Sequence, residues 1–270
     1  MYNSNSNMSS TENTDNNKEE YNNPKAVGEP KAENTIVLSK ETTKRLLKDV
    51  KELIKHPLDS DGIYYKHDES NILKGYVYIC GPKDTVYFGG NYFYKFEFPY
   101  DYPHRPPVVS FMNRDGKTRF HPNMYKSGKM CLSILNTWRG DQWTGCQSIR
   151  TILLTILSIL DDKPLLHEPG ITEKHRDFNS YNQIILFRNI EFSVNKIMNK
   201  KITSGEVENI IDMFKDEMMT QFNRKYNSIL KILDEHKDDE QLHISTSIYN
   251  LKLFTQWNEI YSIFKKIERS

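Results

Sequence analysis

The stretch IYYKHDESNILKGYVYICGPKDTVYFGGNYFYKFEF, residues 63–98, contains three short runs with a period of two: IYYKH, GYVYICG and YFYKFEF. These runs are rich in aromatic and β-branched residues, and Gly, Pro, Asn and Asp separate them. Such a pattern predicts an antiparallel meander. A fourth strand is predicted at PPVVSFM, residues 106–112, after a turn whose four prolines exclude a central-strand role.

Helices are predicted on both sides of this meander. Before it, Ser39 is a candidate N-cap, and an apolar stripe at helical spacing follows, made of Leu46, Leu47, Val50, Leu53 and Ile54. After it, SIRTILLTILSIL (residues 148–160) is apolar almost all round, which predicts a buried central helix. Further helical segments are predicted across residues 178–198 and between 203 and 264. The fold class is therefore predicted to be α+β.

The composition excludes several classes of function. The 270 residues include 37 Lys+Arg and 36 Asp+Glu, and the net charge of +1 argues against a nucleic-acid or a membrane-surface partner. No apolar run approaches the roughly 18 residues that suggest a membrane span, and the first residues lack the apolar region of a signal peptide. We therefore expect an intracellular protein, cytoplasmic and/or nuclear, whose three cysteines are reduced.

The segment HPNMYKSGKMCLSIL, residues 121–135, carries the candidate chemistry. It places Cys131 eight residues after Asn123 in a long irregular stretch, residues 113–145, and a loop of that length inside a compact domain is usually functional. By itself, a cysteine flanked by small and polar residues is either a structural thiol or a nucleophile. The cysteines form no CxxC pair, so no metal site is predicted.

The order of these features resembles the ubiquitin-conjugating enzyme (E2) family. A basic helix, a four-strand meander, a YPxxPP turn, His-Pro-Asn, a cysteine eight residues later, a Trp and a buried helix follow one another between residues 38 and 198. WRGDQW, residues 138–143, resembles the large E2s that have a Trp-Xaa-Gly insertion and a C-terminal helical region. The resemblance implies a UBC-like fold.

Three segments follow from this reading. Residues 1–34 have almost nothing to bury and are predicted to be a disordered tail. Residues 35–200 are predicted to be the ubiquitin-conjugating (UBC) core domain, and residues 201–270 a helical C-terminal extension.

The resemblance implies that Cys131 accepts ubiquitin or a ubiquitin-like protein as a thioester and passes it to a lysine amine. It assigns Asn123 either to stabilising the oxyanion or to bracing the cysteine's loop, two roles that the sequence does not separate. His121 is implied to be a structural imidazole bonded to backbone, next to Pro122. No metal or small-molecule cofactor is implied, because the activating enzyme (E1) spends the ATP.

The sequence departs from the family pattern where an acidic residue commonly assists the incoming lysine. Ser133 stands where an aspartate is common, and His167 aligns with another family acid. A histidine could polarise an amine near pH 7. His167 is therefore a catalytic candidate, the alternative being a surface-loop histidine without a role, and Glu168 is the next candidate.

The resemblance also implies partners. Lys44, Arg45, Lys48 and Lys51 match the basic helix that meets E1, although a merely solvated face is the alternative. At the positions that contact RING-type ligases (E3), His104 replaces a common aromatic residue, and Thr144 and Gly145 with Cys146 replace a Ser-Pro-Ala loop. The expected partners are E1, the modifier, substrate proteins and an E3.

Two rival functions use the same residues. A catalytically dead E2 variant would be a binding module, but such variants typically lack the cysteine that Cys131 supplies here. A cysteine hydrolase would pair Cys131 with His121 or His167, and would need an Asp or Asn that orients the base.

Overall fold

The predicted meander is present as one antiparallel sheet in the computed structural model, which describes residues 38–201 and 205–269. Its strands pair in chain order: β1 (Ile63–His67), β2 (Lys74–Cys80), β3 (Asn91–Glu97) and β4 (Val108–Phe111). The α+β fold class is therefore confirmed. The predicted disordered tail, residues 1–34, lies outside the described residues.

The first two helices begin at serine caps. Helix α1 (Lys40–Lys55) starts where the Thr42 amide donates to the Ser39 side chain at 3.0 Å, and it ends before Pro57. Helix α2 (Ile149–Ile159) starts at a capping box between Ser148 and Thr151. These caps satisfy amides that have no partner within the helix. No helix in the described ranges is both long and apolar enough to cross a membrane.

The central helix α2 is less buried than its sequence predicts. One side packs into the core through Ile152, Leu153 and Ile156, whereas Leu154 is 41% exposed. The predicted buried central helix is therefore present, with one face exposed at Leu154. The neighbouring elements decide which face of α2 is buried, and an apolar sequence does not by itself supply a neighbour for every face.

Both faces of the sheet are covered. On the inner face, side chains such as Ile79, Tyr94 and Phe111 pack with α1, α2 and α3 (Phe178–Arg188), and α3 continues as a π-helical stretch, Asn189–Lys196. On the outer face, residues that point the other way pack against helices α4 (Gly205–Met213) and α5 (Lys215–His236). We call this second group the outer-face cluster; it contains Tyr78, Cys80, Phe93, Met112, Val207, Ile210, Ile211, Ile197, Phe214 and Met218.

The C-terminal region contains more than helices. After α5 the chain forms a two-stranded antiparallel hairpin, β5 (His243–Ser245) and β6 (Lys252–Phe254), and then helix α6 (Trp257–Phe264). The predicted helical extension is present in these helices, and the hairpin is an addition that the sequence did not reveal. Its strands have three residues each, too few for a period of two to stand out in the sequence. All described residues belong to one compact unit.

The outer-face cluster generates a stability prediction. Phe214 is fully buried, and its ring lies 6.1 Å from that of Tyr78 and 6.4 Å from that of Phe93. Phe214→Ala should lower the free energy of unfolding by about 3–5 kcal/mol, because it opens a cavity between sheet and helices. Phe254→Ala is the control, since Phe254 is 40% exposed and should cost about 1 kcal/mol or less. Equal losses in urea titrations would contradict a tightly packed outer face.

Candidate active site

The segment that carries the candidate chemistry folds into a narrow loop fastened to the sheet. The Cys131 amide donates to the Asn123 carbonyl at 2.9 Å, which closes the eight-residue spacing between the two residues. The turn depends on Gly128, whose φ is +94° and whose carbonyl accepts from the Phe111 amide of β4 at 2.7 Å. A Cβ at position 128 would lie 2.8 Å from the Phe111 oxygen, so only glycine fits there.

The Cys131 thiol is buried. Only 4% of the residue is exposed, and Sγ donates a hydrogen bond to the Thr137 carbonyl at 2.9 Å. Thr137 is itself fixed, because its hydroxyl accepts from the Leu132 amide at 2.9 Å and donates to the Met130 carbonyl at 3.0 Å. In this structure the thiol is therefore hydrogen-bonded within the protein, and the residue has little contact with solvent.

The loop after Thr137 covers this side of the site. The Trp143 amide donates to the Asn136 side chain at 2.8 Å, and the Trp143 indole donates to the Pro103 carbonyl at 2.7 Å. Gly140, in the same loop, has a φ of +122° and lies close to Ser133. A Cβ at position 140 would be 3.1 Å from the Ser133 Cβ. Ser133, which replaces the common aspartate, is thus beneath the WRGDQW loop.

Asn123 uses its side chain to hold the cysteine's backbone. Its Nδ2 donates to the Cys131 carbonyl at 2.5 Å, and its backbone amide donates to Nδ1 of His121 at 3.0 Å. Of the two roles that the sequence left open, this geometry corresponds to bracing the loop.

His121 is completely buried, and it accepts a hydrogen bond from backbone through Nδ1. Burial first, and then the nearby His167 and Arg119, hold its pKa well below the ordinary histidine value. The imidazole is therefore neutral at pH 7, with its proton on Nε2. Pro122 lies between His121 and Asn123, so its carbonyl belongs to the same braced turn.

His167 has an acidic partner that sequence reasoning missed. Its Nε2 lies 2.7 Å from the Asp161 carboxylate, and its ring centroid lies 4.7 Å from that of His121. Among the contacts of the described residues, none joins His167 to Cys131. The sequence DDKP at residues 161–164 indicates the end of a helix. It does not indicate that the chain then turns back and brings His167 to Asp161.

Glu168 is engaged elsewhere. Its carboxylate accepts a short hydrogen bond from the hydroxyl of Tyr249, which belongs to the turn between β5 and β6. Burial first, and then this bond, raise the pKa of Tyr249, so the phenol keeps its proton. Glu168, the next catalytic candidate after His167, is therefore hydrogen-bonded to the C-terminal region.

The basic helix divides into two kinds of residue. Lys44, Lys48 and Lys51 are exposed on α1. Arg45 is not free in the same way: its guanidinium donates to Asp49 at 2.9 Å and also to the carbonyls of Gly145 and Gln147. Arg45 thereby joins α1 to the loop before α2.

The predicted E3 positions come together on one surface. The Trp143 indole bond to Pro103 holds residues 144–145 next to the turn that carries His104. Thr144 and Gly145 are exposed, and His104 is exposed with its Nε2 3.6 Å from the Glu41 carboxylate. In the described ranges no cluster of three or more His, Cys, Asp or Glu side chains could hold a metal ion.

A four-strand meander with a His-Pro-Asn turn hydrogen-bonded to a nearby cysteine is typical of one class of acyltransferases. The sequence matches the family model described as ubiquitin-conjugating enzyme over residues 45–185. The chain belongs to the ubiquitin-conjugating enzyme family.

Individual relatives agree with this assignment. Human ubiquitin-conjugating enzyme E2 Z is 37% identical over 165 residues, which cover 60% of this chain and 46% of that protein. The ubiquitin-conjugating enzyme E2 of African swine fever virus (isolate Pig/Kenya/KEN-50/1950) is 30% identical over 202 residues, covering 72% and 86%. The chain thus spans about half the length of the E2 Z relatives that it matches. Among solved structures, human E2 G1 matches with 32% identity, 44% and 93% coverage and a TM-score of 0.39.

The buried His121 generates a pH prediction. Because its pKa is depressed in the folded state, the unfolded chain binds a proton below about pH 6.5 that the folded chain does not bind. Stability should therefore fall as the pH drops below about 6.5, with His121 contributing about 1.4 kcal/mol per pH unit. Urea titrations at several pH values should show a steeper loss for the wild type than for His121→Gln. Equal slopes would mean that His121 titrates normally.

Proposed function

We propose that this protein accepts ubiquitin or a ubiquitin-like protein from E1 as a thioester on Cys131 and transfers it to a lysine amine of a substrate protein. The observation that carries the proposal is the bracing of Cys131 by the His-Pro-Asn turn. Membership of the ubiquitin-conjugating enzyme family supports it.

Two acyl transfers make up this reaction. In the first, the Cys131 thiolate attacks the E1 thioester, a new thioester forms on Sγ, and the E1 cysteine leaves as a thiolate. In the second, a neutral lysine amine attacks the Cys131 thioester, an amide bond forms, and Cys131 leaves as a thiolate. The amine loses one proton in this step, so a proton acceptor assists only the second transfer.

The buried thiol requires a local movement before the first transfer. Sγ donates to the Thr137 carbonyl, and this hydrogen bond has to break before the sulfur can reach E1. The glycine at position 140 and the exposed Trp138 are in the loop after Thr137. We propose that residues 137–142 move aside when E1 or the modifier binds.

His167 and Asp161 supply the proposed acceptor for the lysine proton. When His167 donates through Nε2 to Asp161, its Nδ1 keeps a lone pair. We assign Asn123 to bracing, and His121 and Pro122 to the structure of the turn. Asn123 and His167 thus have separate proposed roles, one in position and one in proton transfer.

The proposed partners follow from exposed surfaces. Lys44, Lys48 and Lys51 form the face offered to E1, and the surface of His104, Thr144 and Gly145 is offered to an E3. We place this activity inside the cell, in the cytoplasm and/or the nucleus. Within the chain we assign it to the UBC core domain, residues 35–200, with residues 201–270 as its extension.

The rival functions have less support. A dead variant does not need a cysteine at position 131. A hydrolase needs an imidazole against the thiol, whereas Sγ of Cys131 contacts the Thr137 carbonyl and His121 directs Nδ1 to backbone. Asp161 does orient His167 as a hydrolase would require, but the described contacts do not connect that pair to the thiol.

The direct test is charging by E1. Incubation with E1, ATP and ubiquitin should give an adduct on a non-reducing gel that dithiothreitol removes. Cys131→Ser should give an adduct that resists thiols, because an oxyester exchanges poorly with them. Cys146→Ser is the matched control, since Cys146 is exposed, and it should charge like the wild type.

Charging of Cys131→Ala at the wild-type level would end the assignment to Cys131. If ubiquitin does not charge the wild type, the same assay with ubiquitin-like proteins and their activating enzymes decides whether another modifier is carried. No adduct with any of them would refute the proposed function.

The bracing role of Asn123 makes a second prediction. Asn123→Ala removes the bond to the Cys131 carbonyl, so charging and discharge to free lysine should both fall, with a lower melting temperature. Asn195→Ala is the control, because its Nδ2 also donates to a backbone carbonyl, that of Ile260 at 3.0 Å, within the C-terminal half. It should lower the melting temperature but not the rates. Loss of discharge alone, by ~10² or more, would favour oxyanion stabilisation instead.

A further inference from the structure

The turn between β5 and β6 lies against the segment that precedes the His-Pro-Asn motif. We call residues 246–251 the hairpin tip. Among its contacts with the rest of the chain are Arg119, two residues before His121, and Glu168, one residue after His167. The hairpin tip therefore contacts both the segment before the His-Pro-Asn motif and the segment that carries His167.

Arg119 is held between two aromatic rings. Its guanidinium carbon lies 3.9 Å from the ring centroid of Tyr125 and 4.2 Å from that of Tyr249. No carboxylate of the described residues forms an ion pair with Arg119. A partly desolvated cation is attracted by the face of each aromatic ring, so Tyr249 is a major partner of this charge.

Arg119 also contacts the active-site turn. Its guanidinium donates to the Pro122 carbonyl, and its own carbonyl accepts from the Tyr181 hydroxyl at 2.8 Å. Asn123 follows Pro122 directly and bonds the Cys131 carbonyl. A continuous set of contacts thus joins Tyr249 to Cys131 through Arg119, Pro122 and Asn123.

The hairpin tip is firmly anchored. The Asp177 carboxylate accepts from the Ser247 amide at 2.9 Å, from the Ser247 hydroxyl at 2.7 Å and from the Ile248 amide at 2.9 Å. Burial alone would raise the pKa of Asp177, but these hydrogen bonds outweigh it and lower the pKa, so the carboxylate stays charged.

The backbone of the tip is strained where Tyr249 contacts Arg119. Tyr249 and Asn250 have φ values of +61° and +50°, the left-handed region that non-glycine residues rarely adopt. This conformation costs free energy, which the surrounding contacts have to offset. The Arg119 stack, the Glu168 bond and the Tyr181 ring, whose centroid lies 6.0 Å away, are contacts that hold Tyr249 in this conformation.

We propose that Tyr249 and Arg119 are positioning residues for acyl transfer: the hairpin tip holds the Arg119 guanidinium against the Pro122 carbonyl and so fixes the turn that braces Cys131. This inference rests on the proposed function for its catalytic consequence. Its structural part, the coupling of the tip to the turn, does not.

Hydrogen exchange measures the coupling without any activity. The Asn123 amide bonds His121 and the Cys131 amide bonds Asn123, so both report on the turn. In Tyr249→Leu and Arg119→Lys both amides should exchange about tenfold faster than in the wild type. Tyr249→Phe keeps the stack and loses only the Glu168 bond, so both amides should exchange more slowly than in Tyr249→Leu. Arg269→Lys is the matched control, because Arg269 stacks on Tyr226 at 4.3 Å within the C-terminal region, and it should leave both amides unchanged.

Single-turnover discharge measures the catalytic consequence. With Cys131 charged beforehand, Tyr249→Leu and Arg119→Lys should lower the maximal rate of discharge to lysine by about tenfold, with the half-saturating lysine concentration unchanged. Tyr249→Phe should discharge faster than Tyr249→Leu, and Arg269→Lys should match the wild type.

Exchange rates within twofold of the wild type in both disrupting variants would overturn the coupling. Faster exchange with normal discharge would overturn the positioning role and leave the tip as a stabilising contact. If the wild type cannot be charged at all, the proposed function fails, and the exchange data still decide whether the tip holds the turn.

Discussion

The sheet of this protein presents large apolar side chains on both faces, and that constraint organises the rest of the structure. A sheet with one wet face would alternate apolar and polar residues, but here Tyr78 and Phe93 on the outer face are as buried as Ile79 and Tyr94 on the inner face. Helices α1 to α3 cover one side, and α4 with the start of α5 covers the other. The C-terminal region is therefore part of the core.

The same sheet sets the position of the active-site turn. The Phe111 amide of β4 binds the Gly128 carbonyl, and the hydroxyl of the fully buried Tyr87 donates to the Phe120 carbonyl at 2.7 Å. Between these two anchors the chain has room for one tight loop, which brings Asn123 beside Cys131. The bracing geometry is thus a consequence of these two anchors and of one glycine.

The C-terminal hairpin adds a second support that a ubiquitin-conjugating core does not by itself contain. Asp177 anchors the hairpin tip, and Tyr249 extends from it to Arg119 and Glu168. A segment more than a hundred residues downstream of Cys131 is thereby in contact with both sides of the site. The strained conformation of Tyr249 persists because these contacts specify it, as backbone strain near functional sites generally requires.

The sequence by itself determined the elements whose signals are local: the period-two strands, the capped helices, and the His-Pro-Asn spacing to Cys131. It did not reveal that Arg45 is used internally, that Asp161 binds His167, that the thiol is covered, or that Tyr249 contacts Arg119. Some of these residues lie far apart in the chain, and others meet only because a loop folds back. A periodic pattern in the sequence predicts neither kind of contact. Only the tertiary structure decided them, because the folded chain fixes which distant side chains meet.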